Sequence, residues 1–95
     1  MKKVKLNGAV LSLKGEELKD QAGKPLMMNE IVADMVAMSK SDKALRKLSI
    51  AQAMYLDGDM ELEDADYKIV KSVMDGSQAS AIVVGQILKA MGVTE

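Results

Sequence analysis

The first part of the chain alternates between apolar and polar residues on both sides of the pair Asn7-Gly8. An Asn-Gly pair between alternating segments favours a two-residue type I′ turn, because both central residues of that turn need positive φ angles. The alternation therefore predicts a β-hairpin over residues 3–13 whose apolar side chains share one face and pack on the rest of the domain. The predicted cross-strand pairs are Leu6 with Ala9 and Val4 with Leu11, and Leu13 extends the apolar face.

Residues 14–26 break this alternation and are predicted to form an ordered loop, or a second short ribbon that turns at residues 20–23. Pro25 ends regular structure, and apolar residues then recur at the three- and four-residue spacing of helices. A glycine stop signal follows each of the last three predicted helices, and Ser41 is expected to cap the second. The four helices run from about Met28 to Ser39, Asp42 to Leu56, Asp64 to Asp75, and Ala79 to Met91.

These elements predict a mainly α fold of about four helices in a compact bundle with an N-terminal β-hairpin. Residues 1–95 are expected to be a single domain without internal repeats, with the hairpin and ordered loop in residues 1–26 and the helical core in residues 27–92. A content of 48% hydrophobic and 28% charged residues is that of a globular protein. A domain of this size buries only about 60–65% of its unfolded surface, so we expect a homo-oligomer that adds burial.

The candidate interface consists of apolar residues that fall outside the predicted buried faces, namely Ile50, Ala53, Leu56 and Ile82. The face that the second helix is predicted to bury contains Ala44, Leu45, Leu48, Ala51, Met54 and Tyr55. Charge also favours self-association, because residues 1–24 hold six lysines against three acids, whereas residues 57–66 hold six acids and no base. The basic block of one copy can therefore meet the acidic block of its neighbour.

Composition and spacing argue against a metal or cofactor site. Cysteine is absent, which excludes disulfides and thiolate metal sites, and histidine is absent as well. The acidic run that begins at Asp57 looks like a calcium loop, but its sixth position is Leu62 where glycine is needed, and its twelfth is Lys68 where glutamate is needed. We therefore expect no metal and no cofactor.

Neither catalysis nor nucleic-acid binding is favoured. Glu30 and Asp34 lie one turn apart on the first predicted helix, but they face away from its apolar stripe, so no catalytic residue is assigned. The last two helices and their glycine turn have the dimensions of a helix-turn-helix. The fourth helix nevertheless carries few polar groups that could contact bases, namely Ser80, Gln86 and Lys89.

The chain also lacks the apolar runs that a signal peptide or a membrane span requires, which are at least seven and roughly 18 residues long. Its formal net charge of −1 provides no overall field that would attract nucleic acid or an anionic membrane. We therefore expect a cytoplasmic protein without membrane contact.

Several segments resemble small proteins encoded by phages and prophages. The segments are residues 15–26 with the following helix start at 29–33, residues 55–62 running into 66–70, and residues 83–88. The resemblance covers about four fifths of the chain, and its motifs are turns, a cap and a Gly-Gln pair, so no site residue follows from it. It implies the cytoplasm of a bacterial host, and one of three roles: an assembly chaperone or virion accessory, an inhibitor of a host defence protein, or a small regulator.

The expected function is that of a non-enzymatic interaction protein with a protein partner, which is itself, a host protein or a phage protein. Two alternatives remain open. One is a small nucleic-acid-binding regulator. The other is a small-molecule sponge that sequesters a signalling nucleotide, although the chain has few aromatic and arginine side chains for stacking on a base.

Overall fold

A computed structural model describes residues 1–93 of the chain. The predicted fold class is confirmed: four helices contain about half of the residues, and a small antiparallel sheet involves the N-terminus. The helix limits agree with the predicted ones to within two residues, because helical spacing and glycine stops are local signals. In chain order the elements are β1 (Lys2–Lys5), α1 (Met28–Ala37), α2 (Ala44–Leu56), β2 (Asp59–Leu62), α3 (Asp64–Asp75) and α4 (Ala81–Ala90).

The partner of the N-terminal strand differs from the predicted one. β1 pairs with β2, with Lys2 opposite Leu62 and Lys5 opposite Asp59, so the predicted pairing across Asn7-Gly8 is wrong. Neither residue of that pair has the positive φ angle that a type I′ turn needs. Residues of opposite charge, such as Lys5 and Asp59, lie opposite each other on the two strands, and their attraction favours this pairing. The basic and acidic blocks expected to meet between neighbouring copies therefore meet within one chain.

Residues 9–27 form a three-segment ribbon with an eight-residue repeat, so the prediction of no internal repeat is wrong. The N–H of Val10 donates to the Leu26 carbonyl at 2.8 Å, that of Leu18 to Val10 at 2.9 Å, and that of Leu26 to Leu18 at 2.8 Å. Each of the three segments is therefore hydrogen-bonded to both of the others. The connecting turns end at Gly15 and Gly23, which are eight residues apart and have φ angles of 87° and 81°. The second turn is the one predicted at residues 20–23.

The core lies between the helices and the inner side of the sheet. Its buried hydrophobic members are Val4, Leu6, Val32, Ala33, Val36, Ile50, Ala51, Met54, Leu62, Ile69, Val70, Met74, Ile87, Leu88 and Met91. Three methionines are among them, and their flexible thioether side chains are suited to filling irregular gaps. Helix α1 has its most extensive helix contact with α2, and α3 packs against α1 and α4.

Helix α2 is rotated relative to its predicted orientation: Ala51 and Met54 are buried as predicted, but the other four residues of the predicted face are exposed, namely Ala44, Leu45, Leu48 and Tyr55. Ile50 is 5% exposed and belongs to the core, so its prediction as an exposed interface residue is wrong. Leu45 was predicted to be buried and is 86% exposed. The physical reason is that α2 carries apolar residues on two opposite arcs, and periodicity alone does not decide which arc faces inward.

Candidate protein-interaction site

The side of α2 that points away from the core carries a stripe of large apolar side chains with Gln52 among them. We call it the α2 outer face; its residues are Leu45, Leu48, Gln52, Tyr55 and Leu56. The four apolar members are 86%, 49%, 54% and 85% exposed, in that order. Single exposed leucines are common on protein surfaces, but a contiguous stripe of large apolar side chains is typical of an interaction surface.

A groove of about 510 Å³ runs along this face between α1 and α2. Ala33 and Ala37 supply the α1 side, and their small side chains leave room for a ridge of side chains from another molecule. Asp34 is the one ionisable acid among the lining residues. The lining residues are Ala33, Asp34, Ala37, Leu48, Ala51, Gln52, Tyr55 and Leu56. The groove is therefore apolar with a polar edge.

A buried lysine holds the beginning of α2 in this orientation. The Lys47 ammonium donates hydrogen bonds to the Lys40 carbonyl and to Asp42 Oδ1, both at 2.9 Å. The bond from Lys47, together with its positive charge, lowers the pKa of the Asp42 carboxyl. Ser41 does not cap the helix as predicted: the N-cap position is Lys43, which has a left-handed φ of 53°. The inward side of α2 is thus anchored by an ion pair.

A buried asparagine holds the end of α2. Asn29, at the start of α1 and 7% exposed, donates from Nδ2 to the carbonyls of Met54 and Tyr55, both at 3.2 Å. These carbonyls belong to the last turn of α2, where no intrahelical donor is available. Asn29 therefore acts as a C-terminal cap that joins the two helices lining the groove.

The segment after α2 is fixed by an asparagine and a buried glycine. Asn7 Oδ1 accepts the Gly58 N–H at 2.7 Å, and Asn7 Nδ2 donates to Asp57 Oδ1 at 2.6 Å. The pKa of Asp57 is lowered because its carboxylate accepts the Asp59 N–H and then the Asn7 amide. A Cβ on Gly58 would lie 2.5 Å from that of Asn29. The carboxylate of Asp57 thus accepts bonds in a turn; within residues 1–93, no group of three or more metal-binding side chains occurs.

The structure separates the four predicted interface residues. Leu56 belongs to the α2 outer face and Ala53 is exposed beside it, whereas Ile50 is in the core. Ile82 is half-buried on α4, a helix that packs on α3. The prediction missed Leu45, Leu48 and Tyr55 because it assigned them to the core. Leu48 follows Leu45 by three residues and Tyr55 follows Leu48 by seven. This helical spacing was the signal that could have identified a second apolar face.

Gln86, considered as a base-contacting residue, is engaged within the chain. Its Oε1 accepts the Leu11 N–H at 2.8 Å, and its Nε2 donates to the Leu11 carbonyl at 2.6 Å and to the Ile82 carbonyl at 2.9 Å. The side-chain amide thereby pairs with the ribbon as a neighbouring strand would. Gln86 joins the ribbon to α4.

No protein-family model, curated protein or solved structure matches the chain. Among residues 1–93, no helix is both long and apolar enough to cross a membrane.

Proposed function

We propose that the protein is not an enzyme and acts by binding protein through the α2 outer face. The observation that carries this proposal is the stripe of four large apolar side chains that remain in water although the chain has a separate core. Burying one such side chain stabilises a complex by about 1.5–3 kcal/mol. Because the stripe lies on one side of a helix next to a groove, the occupant that it fits is a helix with its own apolar stripe.

The anchoring of α2 supports this role. Lys47 ties the beginning of the helix to the preceding loop, and Asn29 ties its last turn to α1. A partner therefore meets a face whose backbone is already ordered, so binding loses little conformational entropy. The resemblance to phage and prophage proteins supports a role as an assembly chaperone, virion accessory or inhibitor of a host defence protein in the cytoplasm of a bacterial host.

The two alternative functions receive less support from the geometry. A nucleic-acid-binding regulator would read bases through α4, but the amide of Gln86 is already bonded to Leu11 and Ile82. A sponge for a signalling nucleotide would need a positive charge near its phosphates, whereas Asp34 lines the apolar groove. Repulsion between Asp34 and phosphate disfavours that ligand in this groove.

Site-specific photo-cross-linking tests the proposal. A photoreactive residue at Gln52, in the α2 outer face, is compared in host lysate with one at Gln78, an exposed position before α4. We expect a specific protein adduct from position 52 alone. The cross-linked protein is then identified, purified and titrated, and Leu45→Asp should weaken its binding at least about 10-fold. Equal cross-linking from both positions, or unchanged binding by Leu45→Asp, would contradict the proposal.

A further inference from the structure

We infer that the α2 outer face binds the same face of a second copy, with the two α2 helices antiparallel. This inference rests on the proposed function, because it names the occupant of the same surface. A two-fold symmetric pair uses one patch on both subunits, so the patch must be complementary to itself. The spacing, the neighbouring side chains and the charges of this face meet that condition.

The spacing of the stripe is that of a coiled-coil seam. Leu45, Leu48, Gln52 and Tyr55 follow one another at intervals of three, four and three residues, as a and d positions do. In an antiparallel pair, Leu45 lies level with Tyr55 of the second copy, and Leu48 with Gln52 of the second copy. Each layer then joins a leucine to a side chain whose polar end can remain in water. In a parallel pair, Gln52 would instead meet its own copy in the middle of the seam.

Small side chains flank the seam and allow the two helices to approach. Ser49 and Ala53 are exposed on one side of the stripe, and Ala37 lies at the groove on the other. Helix axes approach to about 8–10 Å, and the side chains at the contact set the value within that range. The face therefore has a ridge of large residues between two low margins, which is the shape that a second α2 helix requires.

The charges favour the antiparallel arrangement. Lys40 and Lys43 are exposed just before α2 begins, and Asp42 between them is paired with Lys47 of the helix, whereas Asp57 is exposed directly after the helix ends. Antiparallel packing brings the basic end of each copy to the acidic end of the other and aligns the helix dipoles favourably. Parallel packing would bring like charges together.

The size of the face sets the strength of the pair. Helix α2 has 13 residues and is about 20 Å long, so the contact is near the lower limit of specific interfaces. We therefore expect a dissociation constant in the micromolar range. The wild-type chain should convert from monomer to dimer between low and high micromolar concentration in sedimentation velocity.

Substitutions on the seam test whether this face forms the dimer. Leu48→Asp places a charge in the seam of both subunits and should raise the dissociation constant at least about 100-fold. If Leu48→Asp reduces the helical circular dichroism, Leu45→Asp takes its place as the test variant. Residue 45 is 86% exposed, and its substitution should raise the dissociation constant to the same extent. The matched control is Leu13→Asp in a turn of the ribbon, where the leucine is 95% exposed; it should leave the dimer unchanged.

Single cysteines test the orientation of the two helices. Because the chain has no native cysteine, any disulfide must form between the introduced residues. A mixture of Leu45→Cys and Tyr55→Cys chains should form a disulfide between the two variants on mild oxidation. Leu45→Cys alone should not, because the two copies of residue 45 lie about 15 Å apart in the antiparallel pair, whereas a disulfide needs Cα atoms within about 7 Å. Efficient Leu45→Cys homodimers would overturn the antiparallel arrangement.

A wild-type chain that stays monomeric at high micromolar concentration would overturn the inference, as would a dimer that resists both aspartate substitutions. If the chain is monomeric but position 52 still cross-links specifically to another protein, the inference fails and the proposed function stands. If neither a dimer nor a specific adduct is observed, both fail.

Discussion

The cap that Asn29 provides for α2 leads to a specific prediction about stability. Asn29→Ala removes the donor to the Met54 and Tyr55 carbonyls and leaves these two acceptors without the side chain that now reaches them. A hydrogen bond contributes about 0.5–1.5 kcal/mol net, so losing both should lower the free energy of unfolding by about 1–3 kcal/mol. For a domain of this size, that loss corresponds to a melting temperature lower by roughly 5–20 °C.

A second substitution separates hydrogen bonding from packing. Asn29→Asp keeps the size of the side chain but replaces the donor by a carboxylate oxygen, which faces the same two carbonyls. At neutral pH it should cost at least as much stability as Asn29→Ala, because a buried charge without a donor is added to the lost bonds. A packing role alone would leave Asn29→Asp close to the wild type.

Thermal and urea unfolding followed by circular dichroism measure these changes, at one protein concentration so that self-association does not differ between samples. The control is Gln78→Ala, which removes an exposed amide outside the helices and should change the free energy of unfolding by less than about 0.5 kcal/mol. The reasoning would be refuted if Asn29→Ala fell within the same limits as this control, or if Asn29→Asp were as stable as the wild type.

Three further predictions use the same unfolding assay. Gly58→Ala should destabilise the chain by about 1–3 kcal/mol, because its Cβ would lie 2.8 Å from the Leu6 carbonyl carbon; an unchanged melting temperature would contradict this. Gln86→Ala should cost about 1–2 kcal/mol by removing both bonds to Leu11, and hydrogen exchange should quicken at the Leu11 amide. Ile50→Ala should cost about 2–5 kcal/mol, and Leu45→Ala less than about 0.5 kcal/mol in the monomer. If Leu45→Ala cost more stability than Ile50→Ala, the orientation of α2 predicted from the sequence would be the correct one.

The helices could be predicted from the sequence because their signals are local. Each has apolar residues at helical spacing, and the last three are followed by a glycine within about two residues. The strand pairing could not be predicted, because β1 and β2 are separated by more than fifty residues and two helices. The local turn signal at Asn7-Gly8 pointed to a nearer partner. Asn7 instead bonds through its side chain to Gly58 and Asp57, and these contacts bring β2 beside β1.

The sequence contains a signal for the ribbon, but this signal repeats at a short interval. Ser12 and Asp20 occupy equivalent places before the two glycine turns, and each accepts N–H groups two and four residues further along. Such side-chain acceptors stabilise turns without any contact from the rest of the fold. Repeated placement of an acceptor and a glycine at an interval of eight residues is therefore a sequence signal for this ribbon. This interval is shorter than the periods of common repeat proteins.

The candidate site was mislocated for a reason that itself supports the site. A helix that serves only a core has one apolar arc, whereas α2 carries Ile50 on one arc and Leu45 with Leu48 on the other. Sequence periodicity registers both arcs equally, so the choice depends on contacts outside the helix. Lys47 and Asn29 make those contacts and turn Ile50 inward. The opposite arc is then left in water at a cost that its burial against another protein would remove. The residues mistaken for core are accordingly the ones on which the test of function depends.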